Sequence, residues 1–156
     1  MSGYFHIGLL VDELEPAMES LGAALGVTWR PIYDVPLTLT SADRAVAKIR
    51  LRLVYSAGPT PAIELIERAP GTPFADAPGG GRLHHLGKWS TDLPADVAEA
   101  RGWSAGGGGA LAGTVADHNG APSCLALLST PLGFYLELVD PQFARPGLAD
   151  LIPDWT

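Results

Sequence analysis

The chain has 156 residues, 47% of them hydrophobic and 17% charged, a composition that supports one ordinary folded core and excludes a disordered chain. Its formal net charge of -7, with no basic cluster interleaved with aromatics, excludes general binding to nucleic acid or anionic membranes. Cys124 is the single cysteine, so an intrachain disulfide and a thiolate-built zinc site are both excluded, and it reads as a small buried hydrophobe.

No apolar run approaches the ~20 residues of a membrane span. The start, Met1 to His6, lacks the positive end and apolar centre of a secretory signal. The expectation is a soluble cytoplasmic protein.

The first apolar run, Tyr4 to Val11, reads as a strand. After Asp12-Glu13-Leu14-Glu15-Pro16, residues Leu14, Met18, Leu21 and Leu25 make one stripe of an amphipathic helix, which Gly26 ends. Strands are expected at Leu37 to Thr40, Val46 to Tyr55 and Ala62 to Glu67. Pro70 to Gly81 has the composition of a linker.

The order then repeats. His85 to Thr91 reads as a strand, and a helix follows with Asp92-Leu93-Pro94 at its start, Leu93, Val97 and Ala100 on its stripe, and Gly102 as its stop. Further strands are expected at Leu111 to Val115, Ser123 to Leu128 and Gly133 to Val139, with a turn at Asp117-His118-Asn119-Gly120 and a mobile loop at Gly106 to Gly109. The tail beyond Pro141, with Phe143, Leu148, Leu151, Ile152 and Trp155, is too apolar to hang free and is expected to pack on the domain or on a second subunit. Residues 1–156 therefore read as a single domain. Module one is about 4–69, the linker about 70–81, module two about 82–141, and the tail about 142–156.

The repeat carries chemistry. His6-Ile7-Gly8 opens the first half and His85-Leu86-Gly87 the second, 79 positions on, from 6 to 85. Glu64, inside Ala62 to Ile66, and Glu137, inside Tyr135 to Val139, are separated by 73, from 64 to 137. An ionised glutamate inside an apolar strand is costly unless a positive charge meets it. Two strand histidines and two such glutamates compensate one another by sharing a divalent cation: Zn²⁺, Ni²⁺, Co²⁺, Mn²⁺ or Fe²⁺.

These His-Ile/Leu-Gly strand openings, the Asp-x-Leu helix starts and the closing Ile-Glu-Leu-Ile-Glu and Leu-Glu-Leu-Val-Asp strands resemble the vicinal oxygen chelate superfamily. That group includes glyoxalase I, methylmalonyl-CoA epimerase, extradiol dioxygenases and bleomycin-binding proteins. The resemblance spans nearly the whole chain and implies an α+β fold of two βαβββ modules around a half-barrel cavity. It places the metal ligands at His6, Glu64, His85 and Glu137, and it implies a homodimer. The epimerases are expected to use a further glutamate from the early strands of the first module, and Val35 to Tyr55 contains none.

On these grounds the expected function is that of a divalent-metal lyase, isomerase or epimerase. It would act on a small oxygenated substrate, with Glu64 or Glu137 carrying a proton. The alternatives are a non-catalytic small-molecule binding protein of the antibiotic-binding type and an Fe²⁺ ring-cleaving dioxygenase. Trp89 and Tyr135, each two residues from a ligand position, are candidates for a substrate-binding wall. Lys48, Arg50 and Arg52 alternate with Ile49, Leu51 and Leu53. If the apolar face packs on the helix, Arg50 and Arg52 face the cavity or solvent and could bind an anionic substrate. His84 is expected on the face opposite His85, His118 in an exposed turn, and Glu67 and Asp140 at strand ends as surface residues.

Overall fold

The computed structural model describes residues 3–103, 108–116 and 119–152. The first module comprises β1 (Tyr4–Val11), α1 (Leu14–Leu25), β2 (Tyr33–Ser41), β3 (Val46–Tyr55) and β4 (Ala62–Glu67). The second repeats it as β5 (Leu83–Trp89), α2 (Leu93–Arg101), β6 (Leu111–Ala116), β7 (Pro122–Ser129) and β8 (Tyr135–Val139). A short helix α3 (Pro141–Leu148) and a 3-10 turn (Ala149–Leu151) follow.

The eight strands close into a barrel in the order β1-β4-β3-β2-β6-β7-β8-β5. Within each module the order is the same, and the first and last strands run parallel: β1 beside β4, and β5 beside β8. The modules meet antiparallel along β1 and β5 on one side, and at Thr40 with Thr114 and Ser41 with Gly113 on the other. The repeat seen in the sequence is therefore a repeat in space, with the two His-x-Gly strands adjacent.

Each module's helix covers the outer face of its own last strands. Leu14, Ala17, Met18 and Leu21 of α1 pack on Val54, Ile63 and Leu65. Leu93, Val97 and Ala100 of α2 pack on Ala126, Leu128, Leu136 and Leu138. Asp92 caps α2 by accepting from Ala95 N, and Gly26 ends α1 at φ 67, a conformation open to glycine at little cost. Strands covered on the outside and facing a core on the inside read as continuous apolar runs, which is why β4 and β8 show no alternation.

β2 begins at Tyr33, four residues before the expected start, and includes Pro36. This stretch pairs with β3 alone, since β6 reaches only Thr40 and Ser41, so a residue without an N–H is tolerated on its open edge. Residues 70–81 do more than link: Phe74 and Ala77 are buried in the central core. The C-terminal segment packs back on the domain, with Leu148 and Leu151 buried in that same core. His118, Trp155 and Gly106 lie outside the described residues.

Candidate metal centre

Strand register builds the site. Gly8 lies level with Glu64 of β4 on one side and His85 of β5 on the other. Gly87 lies level with His6 and Glu137 in the same way. Two adjacent rows thus each hold a carboxylate, a glycine and an imidazole on the inner face. The glycine in each row makes space for the ring beside it: a Cβ on Gly8 would collide with the His85 imidazole, and one on Gly87 with the His6 imidazole. The His-x-Gly signature is explained by this exchange, because each strand supplies one ring and the hollow for the other strand's ring.

His6 and His85 are 0% exposed, and Glu64 and Glu137 are buried. Their ligand atoms lie within 4.8 Å of one another. His6 Nε2 is 2.6 Å from His85 Nε2, 3.3 Å from Glu64 Oε2 and 3.2 Å from Glu137 Oε2. His85 Nε2 is 3.0 Å from Glu64 Oε2 and 3.4 Å from Glu137 Oε2. Two ring nitrogens and two carboxylate oxygens therefore converge on one point.

Two observations show that this donor set suits a divalent cation. Among the described residues, Glu64 Oε2 and His6 Nδ1 are buried and make no hydrogen bond, the near neighbours of Glu64 Oε2 being the Nε2 atoms of His6 and His85, and a buried polar atom without a well-formed bond is costly. Two carboxylates with two neutral imidazoles also carry a charge that one divalent ion cancels, and mixed N and O donors suit Zn²⁺ and its first-row neighbours. Without a metal, a proton takes that place. Burial alone would lower the His6 pKa, but the Glu64 and Glu137 carboxylates outweigh it and raise it to about 9. Burial would raise the Glu64 pKa, yet His6 and His85 hold it well below the usual carboxylate range.

His84 falls where strand alternation does not place it. The partner of β1 jumps from His85 at Gly8 to Leu83 at Leu9, so His84 is the extra residue of a β-bulge and turns inward, 0% exposed. Its Nε2 lies 2.8 Å from the Pro73 carbonyl, which only accepts, so Nε2 carries the hydrogen. His84 Nδ1 is then an acceptor, and His85 Nδ1 donates to it at 2.9 Å. That chain leaves the lone pair of His85 on Nε2, aimed at the cluster, as a metal ligand requires. Burial, followed by the nearby His85, lowers the His84 pKa to about 4, which keeps this ring neutral.

Beside the cluster lies a cavity of about 290 Å³. Glu64 and Glu137 reach its wall, together with Tyr55, Phe74 and the apolar inner faces of β2 and β3. Burial, then the Glu64 and Glu137 charges, push the Tyr55 hydroxyl well above its usual pKa, so it stays protonated next to the carboxylates. α3 forms another wall through Phe143, Ala144 and Leu148. This segment is tied down by Tyr33 Oη donating to Gly147 O at 2.9 Å and by Trp89 Nε1 donating to Leu151 O at 3.1 Å. Arg30 adds a two-pronged bond to Asp150, at 2.8 and 2.6 Å.

The four candidates for substrate contact lie off this cavity's wall. Leu51, Leu53 and Tyr55 line the cavity, and the alternate face of β3 points outward because no helix covers that stretch. Arg50 is exposed and donates to Asp34, and Arg52 bridges Glu67 and Glu15 at 2.7 Å each, so neither lines the cavity. Trp89 lies on the ligand-bearing side but is 1% exposed and stacked on Phe5 at 3.6 Å, inside the core rather than on the cavity wall. Tyr135 is level with His85 and packs edge-on against His84 at 5.0 Å, also off the cavity wall. Tyr55, Phe74 and His84 were not legible as site residues. The doubled His84-His85 was the one hint, and it points to a site only once the bulge is known.

Comparison with known proteins agrees with this architecture. Residues 5–121 match the family model of the glyoxalase/bleomycin resistance protein/dioxygenase superfamily. Among solved structures, a hypothetical protein, BH1468 from Bacillus halodurans C-125, aligns with a TM-score of 0.57 at 15% identity, covering 89% of this chain and 94% of that one. A methylmalonyl-CoA epimerase in complex with methylmalonyl-CoA and NH4+ aligns at 0.55 and 18% identity, covering 90% and 94%. A Streptomyces coelicolor methylmalonyl-CoA epimerase variant in complex with 2-nitronate-propionyl-CoA aligns at 0.53 and 17%, with the same coverage. No curated protein matches the chain. At these identities the structures show a shared fold, and the family match over most of the chain shows membership: this chain belongs to the glyoxalase/bleomycin resistance protein/dioxygenase superfamily.

Proposed function

We propose that this protein is a divalent-metal-dependent enzyme of the glyoxalase type, a lyase, isomerase or epimerase that moves a proton on a small oxygenated substrate. The observation that carries this reading is the convergence of His6, Glu64, His85 and Glu137 within 4.8 Å beside a cavity whose wall includes both carboxylates and neither imidazole. A metal bound there would act as a Lewis acid, polarising a substrate oxygen.

The chain's own residues divide the remaining work. His6 and His85, which do not reach the cavity wall, would hold the ion together with the two carboxylates, and His84 fixes the ring orientation of His85. Glu64 and Glu137 reach the substrate side, and either can take a proton and return it. Tyr55, a protonated hydroxyl beside the carboxylates, can donate to one of them or to a substrate oxygen. Inner-face residues of β2 and β3 add no carboxylate to the cavity, so proton transfer falls to Glu64 or Glu137. A homodimer, as the resemblance implies, belongs to the same reading; the described helices include none long and apolar enough to cross a membrane.

The test is hydrogen–deuterium exchange in D2O, followed by NMR, on a panel of small α-hydroxyketones and 1,2-dicarbonyl adducts. Metal-dependent exchange lost in Glu64→Gln or Glu137→Gln supports the reading. Tight binding of panel members without exchange would favour a binding protein, and Fe²⁺-dependent oxygen uptake a ring-cleaving dioxygenase.

A further inference from the structure

The cavity itself narrows the substrate. Its volume of about 290 Å³ is about ten water volumes at ~30 Å³ each, at the small end of ligand sites. Beyond Glu64 and Glu137 the wall is hydrocarbon: Val35, Leu37, Leu51, Leu53, Leu125 and Leu148 among others, with no Lys, Arg or His among the described residues that line it. The hydroxyl of Tyr33 is already committed to Gly147 O. The basic strand face of Arg50 and Arg52 is turned outward and paired with Asp34, Glu15 and Glu67. A phosphate or a second carboxylate on the substrate would be desolvated here with nothing positive to meet it.

We infer that the substrate is a compact molecule of about ten heavy atoms whose body beyond its metal-binding oxygens is neutral and apolar and rests against α3. This rests on the proposed metal-dependent reading and adds the chemical class to it. Discrimination against a larger charged substrate follows from the missing cations, since a charge buried without a partner is penalised far more than a lost methylene. α3 contributes the selective wall, with Ala144 as the small residue that leaves the space open.

The test uses protein loaded with Zn²⁺, its metal content measured first, and isothermal titration with three probes: benzohydroxamate, acetohydroxamate and propionyl-CoA. Both hydroxamates offer the same pair of adjacent oxygens, and only the first has an apolar body of the size described. Benzohydroxamate is expected to bind at least tenfold more tightly than acetohydroxamate. Ala144→Trp, which fills the space beside α3, is expected to abolish that preference, with metal content measured alongside to show that the ion is still held. Equal affinity for the two hydroxamates, or tighter binding of propionyl-CoA than of benzohydroxamate, would overturn the inference while the metal reading stood. Failure of the wild-type protein to hold Zn²⁺ would overturn both. The wild-type comparison decides the matter even if the Ala144→Trp variant fails to fold.

Discussion

Gly87→Ala is the sharpest perturbation of the site, because it adds one methyl group and replaces no ligand. The new Cβ would lie well inside 3.0 Å of the His6 ring, a separation that real Cβ contacts essentially never show. Carbon atoms rest at about 3.5 to 4 Å, so the imidazole must retreat by about 1 Å or more. His6 is 0% exposed, packed edge-on against Phe5 at 4.2 Å and Tyr55 at 5.5 Å, so the ring has no free space to enter. Overpacking of this kind costs about 1 to 3 kcal/mol of stability. Ligand placement must hold within about 0.5 Å for function, so metal affinity should fall by at least the 10- to 100-fold typical of disturbing a ligand's support. The assay is competition with a chromophoric chelator, alongside thermal unfolding, with Gly81→Ala as control because nothing lies within 4 Å of its Cβ position. Gly87→Ala protein that held metal as tightly as the control would refute the account of the His-x-Gly motif.

Three further outcomes are expected. His84→Phe should fold yet bind metal about 10- to 100-fold more weakly, whereas His84→Asn, whose amide oxygen can take over the acceptor position, should recover much of that loss; ¹⁵N NMR of His85 in the metal-free wild type should show the hydrogen on Nδ1. The His6 pKa of about 9 lies above the ordinary 6.5, so its stabilisation of the metal-free fold is complete below about pH 6.5 and lost as pH rises through 9. Thermal melts should show up to about 3 kcal/mol of this loss, and bound metal should remove the dependence by replacing the proton, with affinity rising as pH approaches 9. Arg50→Ala should leave melting temperature, metal binding and hydroxamate binding unchanged, and a loss of hydroxamate affinity would place that guanidinium in the cavity after all.

The parts of this molecule that could be read from sequence are those its duplication writes twice. β3 and β4 match the expected bounds, Val46–Tyr55 and Ala62–Glu67. α1 ends at Gly26, as its stripe and stop signal require. The four-residue cluster was legible because strand register turns two equivalent His and Glu positions into one point. What escaped depends on facts that periodicity does not carry. β3 alternates, and alternation alone does not say which face is inside; α1 packs on β3 at Val54, while Leu51 and Leu53 on the alternate face line the barrel interior. His84 turns inward through a one-residue bulge that leaves no local signature. Phe74 sits in a Pro- and Gly-rich stretch, yet it reaches the core across the module junction. Trp89 was placed on the correct face, but the stacked Phe5 and the returning C-terminal segment cover it.

The central claim is that His6, Glu64, His85 and Glu137 hold one divalent ion. Elemental mass spectrometry of the purified protein tests it most directly, beside a His6→Ala, His85→Ala double variant whose fold is checked by circular dichroism. About one ion per chain is expected in the wild type and none above background in the folded variant. Wild-type protein that stays empty after reconstitution with Zn²⁺, Ni²⁺, Co²⁺, Mn²⁺ and anaerobic Fe²⁺, or a variant that keeps its metal, would contradict it.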